Sequence, residues 1–142
     1  MDFKYKDTTE KIIGAAMKVH STLGNGFQEI IYQRALALQM QANEIAFIRE
    51  CNMPIFYLDQ EIGERRVDFF VENKICVEIK AITNLESVHF AQARNYLEAF
   101  NIEIGLLINF GSVSLQFKRL TNPKFNASII HHPKNPNYLP KS

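Results

Sequence analysis

Glu78-Ile79-Lys80 places an acid and a lysine two residues apart in a segment, Lys74–Ala81, whose side chains alternate in polarity. On a strand, residues i and i+2 project from one face, so Glu78 and Lys80 stand together while Ile79 turns the other way. Ten residues before Glu78 is Asp68, inside a second alternating segment, Glu64–Val71. Glu72-Asn73 between them is a turn signal, so the two segments read as a hairpin. Two carboxylates on facing strands can offer oxygens to one hard divalent ion, and Mg²⁺ takes one or two carboxylates together with waters and phosphate oxygens. A lysine beside that ion can orient or deprotonate a water, or stabilise charge on a phosphorus under attack. The same types also fit an ordinary solvated strand face, and register separates the two cases. Residues directly opposite in an antiparallel pair share a face. A two-residue turn pairs 68 with 77 and parts the carboxylates. A three-residue turn, or a bulge, between Val71 and Ile75 pairs 68 with 78 and joins them, and this is the geometry expected.

Two helical segments carry further candidates. Gly26, Glu29 and Tyr32 form a G-x-x-E-x-x-Y pattern, in which Glu29 and Tyr32 share a helix face at i, i+3. Glu29 also suits a helix's first turn, where the dipole favours an acid, and Tyr32 suits plain packing. Gln92 and Tyr96 share a face at i, i+4, a spacing that equally fits a polar stripe. His89 lies one turn before Gln92, Cys76 falls on the Glu78 face, and Arg65, Arg66 and Arg94 can meet phosphates or neutralise nearby acids. His131-His132 is a metal-capable pair in a proline-rich tail.

The elements that must position these groups follow from pattern. Asp7-Thr8-Thr9-Glu10 reads as a capping box. Ile12, Ala15, Ala16, Val19 and Leu23 continue at helical spacing until Gly24-Asn25-Gly26 ends the helix. A second helix runs from about Gln28 to Ala42, with Ile31, Ala35, Leu38 and Met40 as its buried face. Ile45–Glu50 and Pro54–Leu58 read as short strands and Asp59–Gly63 as a turn. In the next strand Val67, Phe69 and Val71 fall on one side. Glu86–Phe100 is a third helix packing through Val88, Ala91, Ala93, Leu97 and Phe100. Glu103–Phe110 is apolar enough for a strand covered on both faces, and Val113–Leu120 is a last strand. The order is α-α-β-β-β-β-α-β-β, an α/β mixed sheet flanked by helices.

The chain has 142 residues, 46% hydrophobic and 22% charged, which fits one soluble domain able to hold a core without staples. Two cysteines, Cys51 and Cys76, are too few for a disulfide scaffold and form no C-x-x-C zinc pair. The net charge of +1 excludes a uniformly basic binder. Residues 1–103 nevertheless balance to −4, while residues 104–142 hold Lys118, Arg119, Lys124, Lys134 and Lys141 and no acid. This basic segment is a candidate phosphate-facing surface. No signal peptide or membrane-length apolar run is visible, so a cytoplasmic protein without a membrane partner is expected.

In combination these motifs resemble the PD-(D/E)XK nuclease superfamily and, within it, the small bacterial group called GxxExxY proteins. The similar residues are the Ile12–Ala16 helix, the Leu23-Gly24-x-Gly26 turn, Arg66-Val67-Asp68, Val77–Ala81 and Leu106–Gly111, in order over about residues 7–120. Val67 stands where the "PD" proline would be. The resemblance implies a restriction-endonuclease-like fold in residues 1–120, with 121–142 as an irregular basic tail. It implies Asp68, Glu78, the Ile79 carbonyl and Glu29 as Mg²⁺ or Mn²⁺ ligands, and Lys80 as the catalytic lysine. Gln92, Tyr96 and Tyr32 fall to the substrate side, Gln92 and Tyr96 as in the Q-x-x-x-Y of exonucleases from recombination and CRISPR adaptation. The expected function is a metal-dependent nuclease acting on nucleic acid, DNA before RNA, compatible with a homodimer. The alternative is a catalytically silent nucleic-acid-binding or assembly module that retains the fold.

Overall fold

A computed structural model describes residues 5–129. The elements are α1 (Lys6–Leu23), α2 (Glu29–Ala42), β1 (Phe47–Tyr57), β2 (Gln60–Val71), β3 (Ile75–Lys80), α3 (Ser87–Phe100), β4 (Ile104–Asn109) and β5 (Gln116–Thr121). The five strands form one sheet in the order β1-β2-β3-β4-β5. All neighbours are antiparallel except β3 and β4, which run parallel and are joined through α3 as a crossover requires. The helices cover opposite faces. Ile12, Ala16, Leu36 and Met40 of α1 and α2 pack on Ile75, Val77, Ile79, Leu106 and Ile108. Leu97 and Phe100 of α3 pack on Cys51, Val67, Phe70, Cys76 and Leu107. This is the expected α/β mixed sheet, and every residue of β4 is buried, as a strand covered on both faces demands. Among the described residues no helix is long and apolar enough to cross a membrane.

Several local expectations are corrected. The two short strands before residue 58 are one strand. Pro54 is tolerated there because β1 is an edge strand. The turn is Leu58-Asp59, both with positive φ (49° and 61°), so β2 begins at Gln60 rather than Glu64. In α2 the buried residues are Tyr32, Gln33, Leu36, Ala37 and Met40, while Leu38 is 68% exposed, so the inward face is rotated from the one the apolar residues marked. In α3, Val88 and Ala91 are exposed, and Phe90 and Tyr96 join Leu97 and Phe100 in the packing instead. The Asp7–Glu10 capping box is not made. The helix starts at Lys6 behind Tyr5, with Asp7 inside the first turn. Val67 and Phe69 do not share a face: Val67 packs toward α3 and Phe69 toward α1 and α2. The basic C-terminal segment, as far as it is described, is divided. Arg119 donates to Thr9 Oγ1 on α1, Lys118 lies over the Phe90 ring of α3, and Lys124 pairs with Glu98 at 3.2 Å. Lys134, Lys141 and His131-His132 lie outside the described residues.

The end of β3 is locked from β4. Buried Asn109 accepts from Ile82 N–H (3.0 Å) and Gly111 N–H (3.1 Å) through Oδ1, and donates through Nδ2 to Ile82 C=O (2.9 Å) and Gln116 Oε1 (3.1 Å). Gly111 must be glycine, since a Cβ there would meet the Ile82 backbone at 2.4 Å. Asn109→Ala strands several of these buried groups at once, and chemical denaturation should read a loss of about 2–4 kcal/mol. An unchanged midpoint would show that this clamp does not hold the chain beyond Lys80.

Candidate active site

The β2–β3 turn has three residues, Glu72, Asn73 and Lys74, with Val71 opposite Ile75. Glu72 and Asn73 take left-handed φ of 54° and 56°, and Lys74 N–H closes on Val71 C=O at 3.0 Å. The register is therefore the one that sets 68 against 78. The paired residues run only from Val71–Ile75 to Phe69–Val77. At the next position the Asp68 side chain replaces the backbone: Oδ2 accepts from Ile79 N–H at 2.9 Å, and Oδ1 accepts from Gln33 Nε2 of α2 at 2.8 Å. The change of face between Val67 and Phe69 occurs at this residue. Its neighbour across β1, Glu50, has a φ of 52°, and β1 changes face between Arg49, which lies on the α2 side, and Cys51.

Glu78 points toward α3. Its carboxylate receives Arg65 Nε at 3.3 Å, and the Arg65 guanidinium lies 4.3 Å over the Tyr96 ring, which itself stacks on Phe100. Cys76, Glu78, Tyr96 and Leu97 line a cavity of about 10 Å³, room for about one water. Burial, and then the negative charge of Asp68, push the Glu78 carboxyl up to about 8 against the opposing pull of Arg65. Glu29 opens α2. Its carboxyl is raised by partial burial and by Asp68, and lowered by Lys80 and Arg65. Glu29, Asp68, Glu78, Lys80 and Arg65 thus form one electrostatic cluster supplied by α2, β2 and β3.

The donor chemistry suits a hard cation. A divalent ion would relieve the Glu78 carboxyl, which burial and then Asp68 push up, and among the described residues the buried Gln33 Oε1 beside Asp68 has no donor. Among the described residues no three acid, histidine or cysteine side chains already stand at cation-binding spacing. Asp68, Glu78, Glu29, Lys80 and the Ile79 backbone are brought together, and Tyr96 is joined to them through Arg65. Gln92 is exposed on α3, one turn from Tyr96. Tyr32 is not brought to the site. It is fully buried, donates to Gly24 C=O (2.6 Å), accepts from Phe27 N–H (3.1 Å) and stacks on Phe110 at 4.8 Å, so it fastens the turn before α2. His89 Nδ1 is taken by the Glu86 N–H at the start of α3. Arg66 pairs with Glu50 rather than with the cluster. Sequence reasoning missed Gln33, which sits at i+4 from Glu29, a spacing that could have revealed it. It also missed Arg65 as the partner of Glu78, because a contact from β2 to β3 across thirteen positions leaves no spacing signal.

Comparison with known families matches residues 6–120 to the PD-(D/E)XK nuclease superfamily. The chain belongs to that superfamily. No curated protein and no solved structure gives a match.

The raised Glu78 carboxyl has a measurable consequence in metal-free buffer. Its folded-state value, about 8, lies above the ordinary 4.5, so the folded chain holds this proton longer than the unfolded chain. Stability from this group is complete below about pH 4.5 and is lost as pH rises toward 8. Glu78→Gln should therefore melt near the parent at pH 4.5 and progressively above it toward pH 8, with an upper bound of about 5 kcal/mol. A difference that does not vary with pH over that range refutes it.

Proposed function

We propose that this superfamily member is a Mg²⁺- or Mn²⁺-dependent nuclease of the GxxExxY type that hydrolyses phosphodiester bonds in DNA. The observation that carries the proposal is the Asp68–Ile79 hydrogen bond, which fastens one acid of the pattern to the strand that bears the other acid and the lysine. The Gly26, Glu29 and Tyr32 spacing supports the group assignment. Asp68, Glu78, the Ile79 carbonyl and Glu29 would hold the cation. When bound, it supplies Lewis-acid polarisation of the phosphate and a more acidic water.

The chain's own groups do the rest. Gln33 fixes the Asp68 carboxylate from the α2 side, so that its remaining lone pairs are directed. Lys80 holds a positive charge near Glu29, suited to orienting the attacking water between ammonium and carboxylate. Tyr96 supports Arg65 from below, and Arg65 offsets the charge of Glu78. Gln92, on the same helix face as Tyr96, is assigned to the phosphate backbone.

The test is cleavage of single-stranded, duplex and branched DNA, with RNA alongside, in Mg²⁺ and in Mn²⁺. Lys80→Ala and Asp68→Ala should each lower the rate about 100-fold or more. Mn²⁺ should raise the parent's melting midpoint and leave that of Asp68→Ala nearly unmoved, since only the folded parent binds it. Variants that cut as well as the parent defeat the assignment. Nucleic-acid binding with neither cleavage nor a metal-induced shift points to the silent module.

A further inference from the structure

On the α2 side of the sheet, outside the acid cluster, Arg34, Ala37, Leu38, Gln41, Phe47 and Arg49 line an open groove of about 350 Å³. Two of its lining residues neighbour residues of the site along the chain or across the sheet. Arg34 follows Gln33, the residue that holds Asp68, and Arg49 lies opposite Phe69, the residue after Asp68. The stripe Glu29, Gln33, Ala37 and Gln41 runs along one face of α2 at i, i+4, from the acid cluster into the groove. The floor is apolar: Leu38 is 68% exposed, and Phe47 is held edge-on against Phe69 at 5.3 Å between ring centres.

The walls are cationic. Arg34 makes no hydrogen bond or ion pair with any described residue. Arg49 meets Glu50 at 3.5 Å, but Glu50 is shared with Arg66 at 3.4 Å, so two arginines face one acid. Paired cations over an aromatic and aliphatic floor match a single nucleic-acid strand, whose phosphates seek arginine and whose bases seek a flat apolar surface.

We infer that this groove is the track for a single-stranded segment of the substrate, with Arg34 and Arg49 on its phosphates and Phe47 and Leu38 beneath a base. The inference rests on the nuclease reading above and adds to it the strand's path and form. An unpaired end or flap, rather than a blunt duplex, is the substrate this surface fits.

The experiment measures binding of a labelled single-stranded oligonucleotide against salt, with Ca²⁺ in place of Mg²⁺ to hold back cleavage. Arg34→Gln with Arg49→Gln should weaken binding about tenfold and lower the salt slope by about 1.4, the loss of two single-strand phosphate contacts. Leu38→Glu, at a solvent-facing position that leaves the core intact, should weaken binding to a similar degree. Lys118→Gln with Lys124→Gln, on the α3 side, should leave the slope in place. If instead the α3-side pair lowers the slope and the groove variants do not, the track is elsewhere and the nuclease reading survives. If the parent neither binds nor cuts any nucleic acid, the nuclease reading itself falls and takes the track with it. Tighter binding of a poly-glutamate peptide than of the oligonucleotide at equal salt, lost in the arginine variants, makes the groove a protein site and overturns the inference.

Discussion

The regular pairing of β2 with β3 stops at Phe69–Val77, and one position further the Asp68 carboxylate takes the Ile79 N–H that a backbone carbonyl would otherwise accept. That single bond does two things. It satisfies a donor that would be orphaned where the strands part, which is costly in a buried sheet. It also fixes a carboxylate within one residue of Glu78 and Lys80. The switch of face at Asp68 and at Glu50 opposite belongs to the same event. Beyond it, β1 and β2 continue as an arm whose inward residues, Cys51 and Val67, serve the α3 side of the sheet rather than the α1 side. A side chain standing in for backbone is thus what ends the continuous ladder beside Glu78 and Lys80.

The rest of the fold holds that arrangement from two directions. From one side α2 brings Glu29 and Gln33, and its entry is fixed by Tyr32, whose hydroxyl closes the Gly24–Phe27 turn while its ring stacks on Phe110 at the end of β4. From the other side Asn109 and Gly111 grip Ile82, so the chain leaving Lys80 cannot drift. Phe110 N–H bonds the Lys80 carbonyl at 2.8 Å, which ties the two clamps to each other. Few of these residues touch the charged cluster, yet each fixes an element that supplies one of its members.

How much of this was legible in the sequence depends on whether the signal was local. The three-residue turn followed from the demand that 68 and 78 meet. The order of helices and strands followed from period and punctuation, with one strand split in two because Pro54 is unusual inside a strand and an edge position is not visible locally. The buried face of α2 was misread because polar Gln33 and Tyr32 occupy it for the site and the turn, while Leu38 faces solvent at the groove. The G-x-x-E-x-x-Y spacing marked two important residues but merged two roles: Glu29 belongs to the cluster, and Tyr32 belongs to the scaffold. Arg65 was visible only as one arginine among several, because its choice of Glu78 over Glu64 is made by the sheet.

The near-neutral charge of the chain takes its meaning from this local arrangement. Two faces of the molecule share the basic C-terminal segment. Arg119 serves α1 and Lys124 serves α3, so among the described residues these two charges are spent on the fold's own groups. The acid cluster is the reverse case. Glu29, Asp68 and Glu78, fully ionised, outnumber Arg65 and Lys80 by one negative charge, and burial first, then the charge of Asp68, raises the Glu29 and Glu78 carboxyls. Fully ionised, such a cluster repels a phosphodiester. Two added positive charges would reverse its sign and offset the part of the shift that comes from Asp68, so a divalent cation and a phosphate would favour each other at the same place. The Asp68 charge that adds to burial in raising Glu78 is therefore also a charge that would favour a divalent ion carrying an anionic substrate.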